Sequence, residues 1–311
     1  MSGAQSPPLV AIVGPTAIGK TDMALRLADY VDLEVVSADS RQSYRGMDIG
    51  TAKPTAEQQR RVRHHLLDVV DPSQMLTLAQ YQRLAYQAID DIAARGRLPL
   101  LVGGSGLYAW AVLENWRIPR VPPQSELRQE LEQQAARLGA DQLHQRLVEV
   151  DPTAAGKIHP HNVRRVIRAL EVYHASGVPI SQQQRHGDPL CRTLIIGLTA
   201  ERHWLYARAD ERVEDMLSCG LVEETKALLA AGCSAQAPAM SGLGYRQIAE
   251  SLQGAYPLAE AARRIKTGTH RYIRQQYTWF RLTDTRIHWQ HQPTNVQSVL
   301  SLVAGFLQAS Q

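Results

Sequence analysis

A five-residue apolar run, Leu9-Val10-Ala11-Ile12-Val13, enters Gly14-Pro15-Thr16-Ala17-Ile18-Gly19-Lys20-Thr21, which fills every fixed position of a G-x-x-x-x-G-K-T phosphate loop. Behind it, Thr21–Tyr30 places Met23, Ala24, Leu25, Leu27 and Ala28 in a helical pattern. Strand, loop and helix in this order constrain the fold strongly. The glycines let backbone N–H groups wrap a phosphate, and the helix N-terminus adds positive potential. In such a loop Lys20 contacts terminal phosphates and Thr21 holds Mg²⁺. The chemistry stays open, because kinases, hydrolases and some transferases share this cradle.

The rest of the chain predicts an α/β fold, a P-loop NTPase-like parallel sheet core with an all-helical insertion domain. Candidate strands are Leu9–Val13, Leu33–Ala38, Leu66–Val70, Leu98–Val102 and Thr193–Leu198, with a short late one near Arg286–Trp289. Helical patterns alternate with them, as in parallel architecture. Between Pro119 and Pro189 the pattern changes, giving helices at Ser125–Leu138, Asp141–Val150 and Asn162–Ala175 and no strand-like run. The expected organisation is therefore a core of residues 1–119 and 190–311, ending in a basic helix, with a helical domain at 120–189. At 311 residues, 44% apolar and 21% charged, the composition is that of an ordinary globular protein.

Cys191, Cys219 and Cys233 form no C-x-x-C pair, which argues against a zinc site or a disulfide framework and fits a reducing, cytoplasmic setting. Met1–Pro8 lacks a basic, then apolar, leader, and no apolar stretch reaches the roughly 18 residues of a membrane span. The net charge of +4 matters only where it is concentrated.

Asp39 follows the Leu33–Ala38 run, at a strand end beside the phosphate loop. A carboxylate there can bind metal, abstract a proton or simply cap a turn. The polar stretch Asp39-Ser40-Arg41-Gln42 through Gly50-Thr51-Ala52-Lys53-Pro54 has the hydrogen-bonding capacity to read a base. Leu98–Val102 ends in Gly103-Gly104-Ser105 rather than in a Mg²⁺-organising acid, which counts against an ordinary ATPase. Ser105 suits a helix N-cap as well as a functional role. In an open parallel sheet these three strand-end loops share one edge.

Basic residues gather in two places. Arg263, Lys266, His270, Arg274, Tyr277 and Arg281 fall within ~80° of one helical face, with no acid between Arg263 and Arg281 to balance them. Ile265, Tyr272, Trp279 and Phe280 take the other side. Arg164, Arg165 and Arg168 form a second cluster beside His159 and His161. Both suit a polyanion such as a phosphate backbone. Arg208 and Arg212, spaced i,i+4, point together at a diphosphate or pair with Asp210, Glu211 and Asp215.

Five ordered motifs resemble one family: Gly14–Thr21, Asp39–Pro54, Gly103-Gly104-Ser105-Gly106-Leu107-Tyr108, Gly244-Tyr245-Arg246, and Thr269-His270-Arg271-Tyr272 through Arg274-Gln275 and Thr278-Trp279-Phe280-Arg281. Over roughly residues 9–290 the chain is similar to the bacterial tRNA dimethylallyltransferases. The resemblance implies transfer of a dimethylallyl group from its diphosphate to N6 of the adenosine 3′ of the anticodon, releasing pyrophosphate. It implies that Gly14, Pro15, Thr16, Ala17, Ile18, Gly19, Lys20 and Thr21 bind the diphosphate with Mg²⁺ as cofactor, helped by Arg208. It implies Asp39 as general base, Ser105 orienting the acceptor and Arg212 assisting the diphosphate. Ser105 stands where the family often has threonine, which keeps the hydroxyl. A tRNA anticodon stem-loop would meet Asp39, Ser40, Arg41, Gln42, Ser105, Arg164, Arg165, Arg168, Gly244, Tyr245, Arg246, Arg274, Gln275, Trp279 and Arg281. The partners expected are tRNA and dimethylallyl diphosphate, with no membrane, for a cytoplasmic monomer. With no zinc-finger cysteines before Gln311, the bacterial form is expected. The alternatives are a prenyltransferase of free adenine nucleotides, a P-loop kinase or ATPase, and an RNA-binding protein with a relic loop.

Overall fold

The computed structural model describes residues 6–309; Met1–Gln5, on which part of the leader reading falls, lie outside the described residues. In chain order the first elements are β1 (Pro8–Val13), α1 (Lys20–Leu27), β2 (Leu33–Ser37), α2 (Ala56–Arg61), β3 (His64–His65), α3 (Leu78–Ala94), β4 (Leu98–Gly103) and α4 (Gly106–Leu113). Next come β5 (Trp116–Arg117), α5 (Ser125–Leu138), α6 (Ala140–Val150), α7 (Pro152–Ala155), α8 (Val163–Ser176), α9 (Ile180–Gln183) and β6 (Arg185–His186). The chain ends with β7 (Arg192–Thr199), α10 (Arg202–Ser218), α11 (Leu221–Ala230), α12 (Tyr245–Leu252), α13 (Leu258–Trp279), β8 (Ile287–His291) and α14 (Val296–Gln308). Two compact units result, Met1–Leu113 with Pro189–Gln311, and Glu114–Asp188.

The first unit is built on a six-stranded sheet ordered β3-β2-β4-β1-β7-β8, with every pair parallel. Its central strands β4, β1 and β7 are apolar on both faces, as a sheet covered by helices requires. Val10, Ile12, Leu100, Leu194 and Ile196 fill the face that α1 and α14 cover. Leu9, Ala11, Val36 and Leu101 alternate with them and are equally buried, on the side where α3 packs against β2 and β4. A second core, including Met47, Leu221, Tyr245, Ile248 and Ile265, joins α10–α13 to the loop after β2.

The expected strand at Leu66–Val70 is a correction. Only His64 and His65 pair, with Val35 and Val36. Leu66 and Asp68 then adopt positive φ (66° and 54°), turning the chain out of the sheet, and Val70 keeps only an isolated bridge to Tyr44. The reason is charge. The Asp68 carboxylate reaches the buried Lys53 amine at 2.6 Å, and His65 Nε2 lies 2.6 Å from Glu34 Oε2. Among the described residues, no helix is long and apolar enough to cross a membrane.

In the second unit α5, α6 and α8 pack around Leu131, Leu143, Leu147, Val166 and Ile167. The α8 helix stops at Gly177, which takes the left-handed conformation at φ 67°. The unit also has strands, contrary to the all-helical reading, since Trp116-Arg117 pairs antiparallel with Arg185-His186. Two-residue strands lack any apolar run that a sequence could display. Glu171 is fully buried and accepts from Arg128, Arg168 and the Gln124 backbone N–H.

Glu34 is the corresponding buried carboxylate of the sheet, ringed by His65, Arg95 and Arg97. Burial pushes its pKa up, but hydrogen bonds from His65, Arg95 and Arg97 outweigh that and hold it at about 2, against an ordinary 4.5. Folding thus lowers this pKa, so its stabilisation is complete above the unfolded value and is lost as pH falls towards about 2. Glu34→Ala removes the shared partner of His65, Arg95 and Arg97, whose guanidiniums are part-exposed and can rehydrate, and is expected to cost about 1–3 kcal/mol. Urea melts at pH 7 and pH 3 check this: the deficit should shrink at the lower pH, and an equal deficit at both would refute the charge argument.

Candidate active site

Parallel pairing carries the exits of β1, β2 and β4 to one edge of the sheet. Val13 is in register with Gly103 and Gly197, and Ser37 with Val102. The phosphate loop therefore lies beside Asp39 and Gly103-Gly104, although 90 residues separate them in sequence. Packing at this edge leaves no room for side chains. Gly14 sits at φ 143°, and a Cβ there would stand 2.4 Å from the Leu198 carbonyl oxygen. A Cβ on Gly104 would stand 2.3 Å from the Gln276 amide nitrogen and 3.3 Å from Lys20 Nζ.

Two adjoining compartments open at this edge. One, of about 500 Å³, is lined by Gly19, Lys20, Thr21, Gln42, Gly104 and Arg208 among others. The other, of about 860 Å³, is lined by Ser40, Arg41, Gly244, Arg246, Tyr272, Arg274 and Gln275 among others. Thr16, Ala17, Asp39, Thr51 and Arg212 line both. One carboxylate and one guanidinium thus stand at the junction of a phosphate-loop chamber and a wide polar cleft.

The charges there are under tension. Lys20 Nζ donates to the Gly14 and Pro15 carbonyls at 3.0 and 2.7 Å. Removal from water lowers its pKa to about 7, Asp39 opposing and Arg212 adding to the fall. Burial likewise lowers Arg212, with Asp39 opposing and Arg208 reinforcing. Arg208 lies over the Trp204 ring at 4.9 Å. Among the described residues neither arginine pairs with Asp210, Glu211 or Asp215, and Asp210 binds His270 instead at 2.8 Å. Of the two readings open in the sequence, mutual pairing is thereby removed. The cations are left for an anion.

Asp39 Oδ1 accepts from the Arg41 N–H at 2.8 Å, which fixes the carboxylate on its turn. Ser105 precedes α4, and its carbonyl accepts the first helical bonds. Its hydroxyl accepts from the Ser40 N–H at 3.3 Å, so it stands behind the cleft wall and ties the β2 and β4 exits together. Tyr272 is pushed up to about 12 by burial, with Asp39 adding and a Ser105 hydrogen bond opposing. The 39–54 loop is pinned from outside. Glu224 accepts from the N–H groups of Asp48, Ile49 and Gly50 and from the Tyr245 hydroxyl. Gln42 donates to the Thr51 and Ala52 carbonyls.

Several expected site residues are held by partners within the protein. Arg41 lines the cleft but spends its guanidinium on the Pro238 and Ala239 carbonyls and the Ser241 hydroxyl. Tyr245 is buried beneath the cleft. Trp279 packs against Gly106 and accepts from Trp110 through its carbonyl, and Arg281 lies exposed beyond the end of α13. Arg168 is taken up by the buried Glu171 and the Val121 carbonyl, whereas Arg164 and Arg165 are exposed. The unbalanced stripe on α13 is also corrected. Arg263 and Arg264 pair with Glu260 one turn earlier, and Lys266 and His270 pair with Glu214 and Asp210 of α10. Tyr277 belongs to the core side, bonded to Thr199 at 2.8 Å. Arg271 and Arg274 line the cleft beside Arg263 and Arg264, and Arg274 donates to the Tyr206 hydroxyl at 2.8 Å.

Gln276 escaped the sequence reading. It is buried, accepts from the Thr16 N–H at 2.8 Å and donates to the Gly104 carbonyl at 2.9 Å. The available signal was a polar residue on the apolar face of α13, between Ile273 and Phe280.

Fold and site together define a phosphate-loop transferase class, and the family model described as IPP transferase matches residues 42–283. The chain belongs to the tRNA dimethylallyltransferase family. It is 54% identical over 274 residues to the tRNA dimethylallyltransferase of Roseiflexus sp. (strain RS-1), covering 88% of this chain and 90% of that one. With the protein of the same name from Geobacter metallireducens the identity is 47%, covering 96% and 97%. The crystal structure of the tRNA isopentenylpyrophosphate transferase of Bacillus halodurans superposes with a TM-score of 0.73 at 40% identity, covering 98% of each chain. A eukaryotic dimethylallyltransferase acting on tRNA gives 0.83 at 25%, covering 98% of this chain and 80% of the other.

An anion placed against Lys20 restores its ammonium, so above about pH 7 binding takes up a proton. Affinity for inorganic pyrophosphate is expected to fall by up to about tenfold per pH unit above that point, relative to Lys20→Met, which carries only the ligand's own titration. Calorimetry across pH 6.5–8.5 reads this, and parallel profiles would exclude the linkage.

Proposed function

We propose that this protein transfers a dimethylallyl group from dimethylallyl diphosphate to N6 of the adenosine 3′ of the anticodon in tRNA, releasing pyrophosphate. The observation that carries this reading is the position of Asp39 and Arg212 between the phosphate-loop chamber and the polar cleft. A donor in the first chamber and an extruded base in the second would meet at that junction. Flipping is needed because N6 is otherwise held in the loop's stack.

In this reading N6 attacks the allylic C1 as the C1–O bond breaks, and the proton on N6 passes to Asp39. The departing diphosphate takes its charge compensation from Lys20, Arg212, Arg208 and the loop N–H groups. Thr21 lines the same chamber, and its hydroxyl together with diphosphate oxygens suits Mg²⁺. No cluster of three His, Cys, Asp or Glu able to hold a metal occurs among the described residues, so phosphate and water oxygens would supply the other ligands. When bound, the ion adds positive charge at the leaving group.

Ser40, Arg246, Arg271, Arg274 and Gln275 would receive the acceptor, with Ser105 fixing Ser40 from behind. The domain at 114–188 would add Arg164 and Arg165 to the RNA contacts. Three free cysteines agree with a cytoplasmic enzyme, which we take to act as a monomer.

Incubation with labelled dimethylallyl diphosphate and tRNA, AMP or ATP tests the reading; label is expected in tRNA alone. Label in AMP or ATP would make it a free-nucleotide enzyme, and none in any acceptor would refute prenyl transfer. Asp39→Asn is expected to lower kcat about 10²–10⁴-fold while leaving tRNA affinity within a few-fold; unchanged turnover would exclude it as the base. Arg164→Ala with Arg165→Ala should reduce the salt slope of tRNA binding by about one to two. Arg168→Ala should instead lower the melting temperature, because it removes one of the two guanidiniums that compensate the buried Glu171 carboxylate.

A further inference from the structure

Gln276 is a buried amide that bridges the phosphate loop and the β4 exit. Its Oε1 accepts from the Thr16 N–H in the phosphate loop, and its Nε2 donates to the Gly104 carbonyl at the β4 exit. These two bonds fix the amide's orientation, since swapping oxygen and nitrogen would set donor against donor and acceptor against acceptor. The space is equally exacting, because a Cβ on Gly104 would collide with this amide. Gln276 is carried by α13, whose neighbouring Tyr272, Arg274 and Gln275 line the polar cleft, while Thr16 lines both compartments. Gly104 in turn precedes Ser105, whose hydroxyl accepts from Ser40 next to Asp39. The bond path Thr16–Gln276–Gly104 therefore sets the spacing between the donor's cradle and the loop that aims the base.

We infer that Gln276 is a positioning residue, holding the phosphate loop at the distance and angle at which the allylic carbon faces the acceptor nitrogen; this rests on the prenyl-transfer reading above. It touches no reacting atom. Its contribution lies in alignment, where small displacements cost large factors in rate while binding changes little.

The test uses the full chain with labelled dimethylallyl diphosphate and tRNA, and inorganic pyrophosphate as the binding probe. Gln276→Met keeps the volume and loses both bonds. It is expected to lower kcat about 10²-fold, with KM for the diphosphate and pyrophosphate affinity within about threefold of wild type. A rise in KM at unchanged kcat would make Gln276 a binding group and overturn the proposal, as would unchanged kcat and KM. Gln276→Glu provides a readout that a role in folding alone would not move. Its neutral carboxylic acid can reproduce the acceptor and donor pair, but its carboxylate sets an oxygen against the Gly104 carbonyl. Gln276→Glu is therefore expected to lower kcat at least about tenfold at pH 7.5, with pyrophosphate affinity within about threefold of wild type. An unchanged kcat in this variant overturns the proposal even if Gln276→Met does not fold. Absence of transfer by wild type would defeat both readings, whereas an unaffected variant beside an active wild type defeats only this one.

Discussion

Parallel strand pairing is the constraint on which the site depends. Because β2, β4, β1 and β7 run side by side in one direction, their following loops must all leave from one edge, whatever their separation in sequence. Those loops hold an anion cradle, a carboxylate, a glycine turn and, after β7, the chain leading to Arg208 and Arg212 on α10. No loop has to reach across the protein to meet another. The glycines at the exits follow from the same geometry: strands about 4.8 Å apart leave no volume for a Cβ where their ends turn over one another.

Charge then decides how that edge is used. Burial lowers Lys20 and Arg212, with Arg212 adding to the fall at Lys20 and Arg208 to the fall at Arg212, while Asp39 opposes both. Such an arrangement is poorly balanced by itself and is relieved by a further anion, which favours a ligand rather than internal pairing. Glu34 and Glu171, buried carboxylates away from the site, are the opposite case. Each is ringed by arginines and serves the fold alone.

Much of this was legible in the sequence where the signal was local. The phosphate loop declares itself by spacing, and the long apolar runs mark β1, β2, β4 and β7. Helix stops such as Gly177 need only the neighbouring residues. What escaped depends on partners distant in the chain. The β3 strand shrinks to two residues because His65 and Asp68 answer to Glu34 and Lys53. The basic stripe on α13 gives Lys266 and His270 to acids on α10 that no helical wheel of α13 can display, and Arg263 to Glu260 in its own first turn. Arg168 reads as surface until Glu171 is seen to be buried. Gln276 was overlooked because a lone glutamine on an apolar face has no motif; only its two partners, 260 and 172 residues away, give it meaning.

The two compartments have mostly separate walls, with Thr16, Ala17, Asp39, Thr51 and Arg212 in common. Selection can therefore act on one side at a time. On the proposed reading, changes along Arg246, Arg271 and Gln275 would retune which nucleic acid is admitted without disturbing the anion cradle, and changes near Gln58 or His64 would reshape the donor chamber without altering the acceptor side. Modularity of this kind lets descendants of one scaffold diverge in either substrate while the junction between them, and hence the bond being made, stays the same.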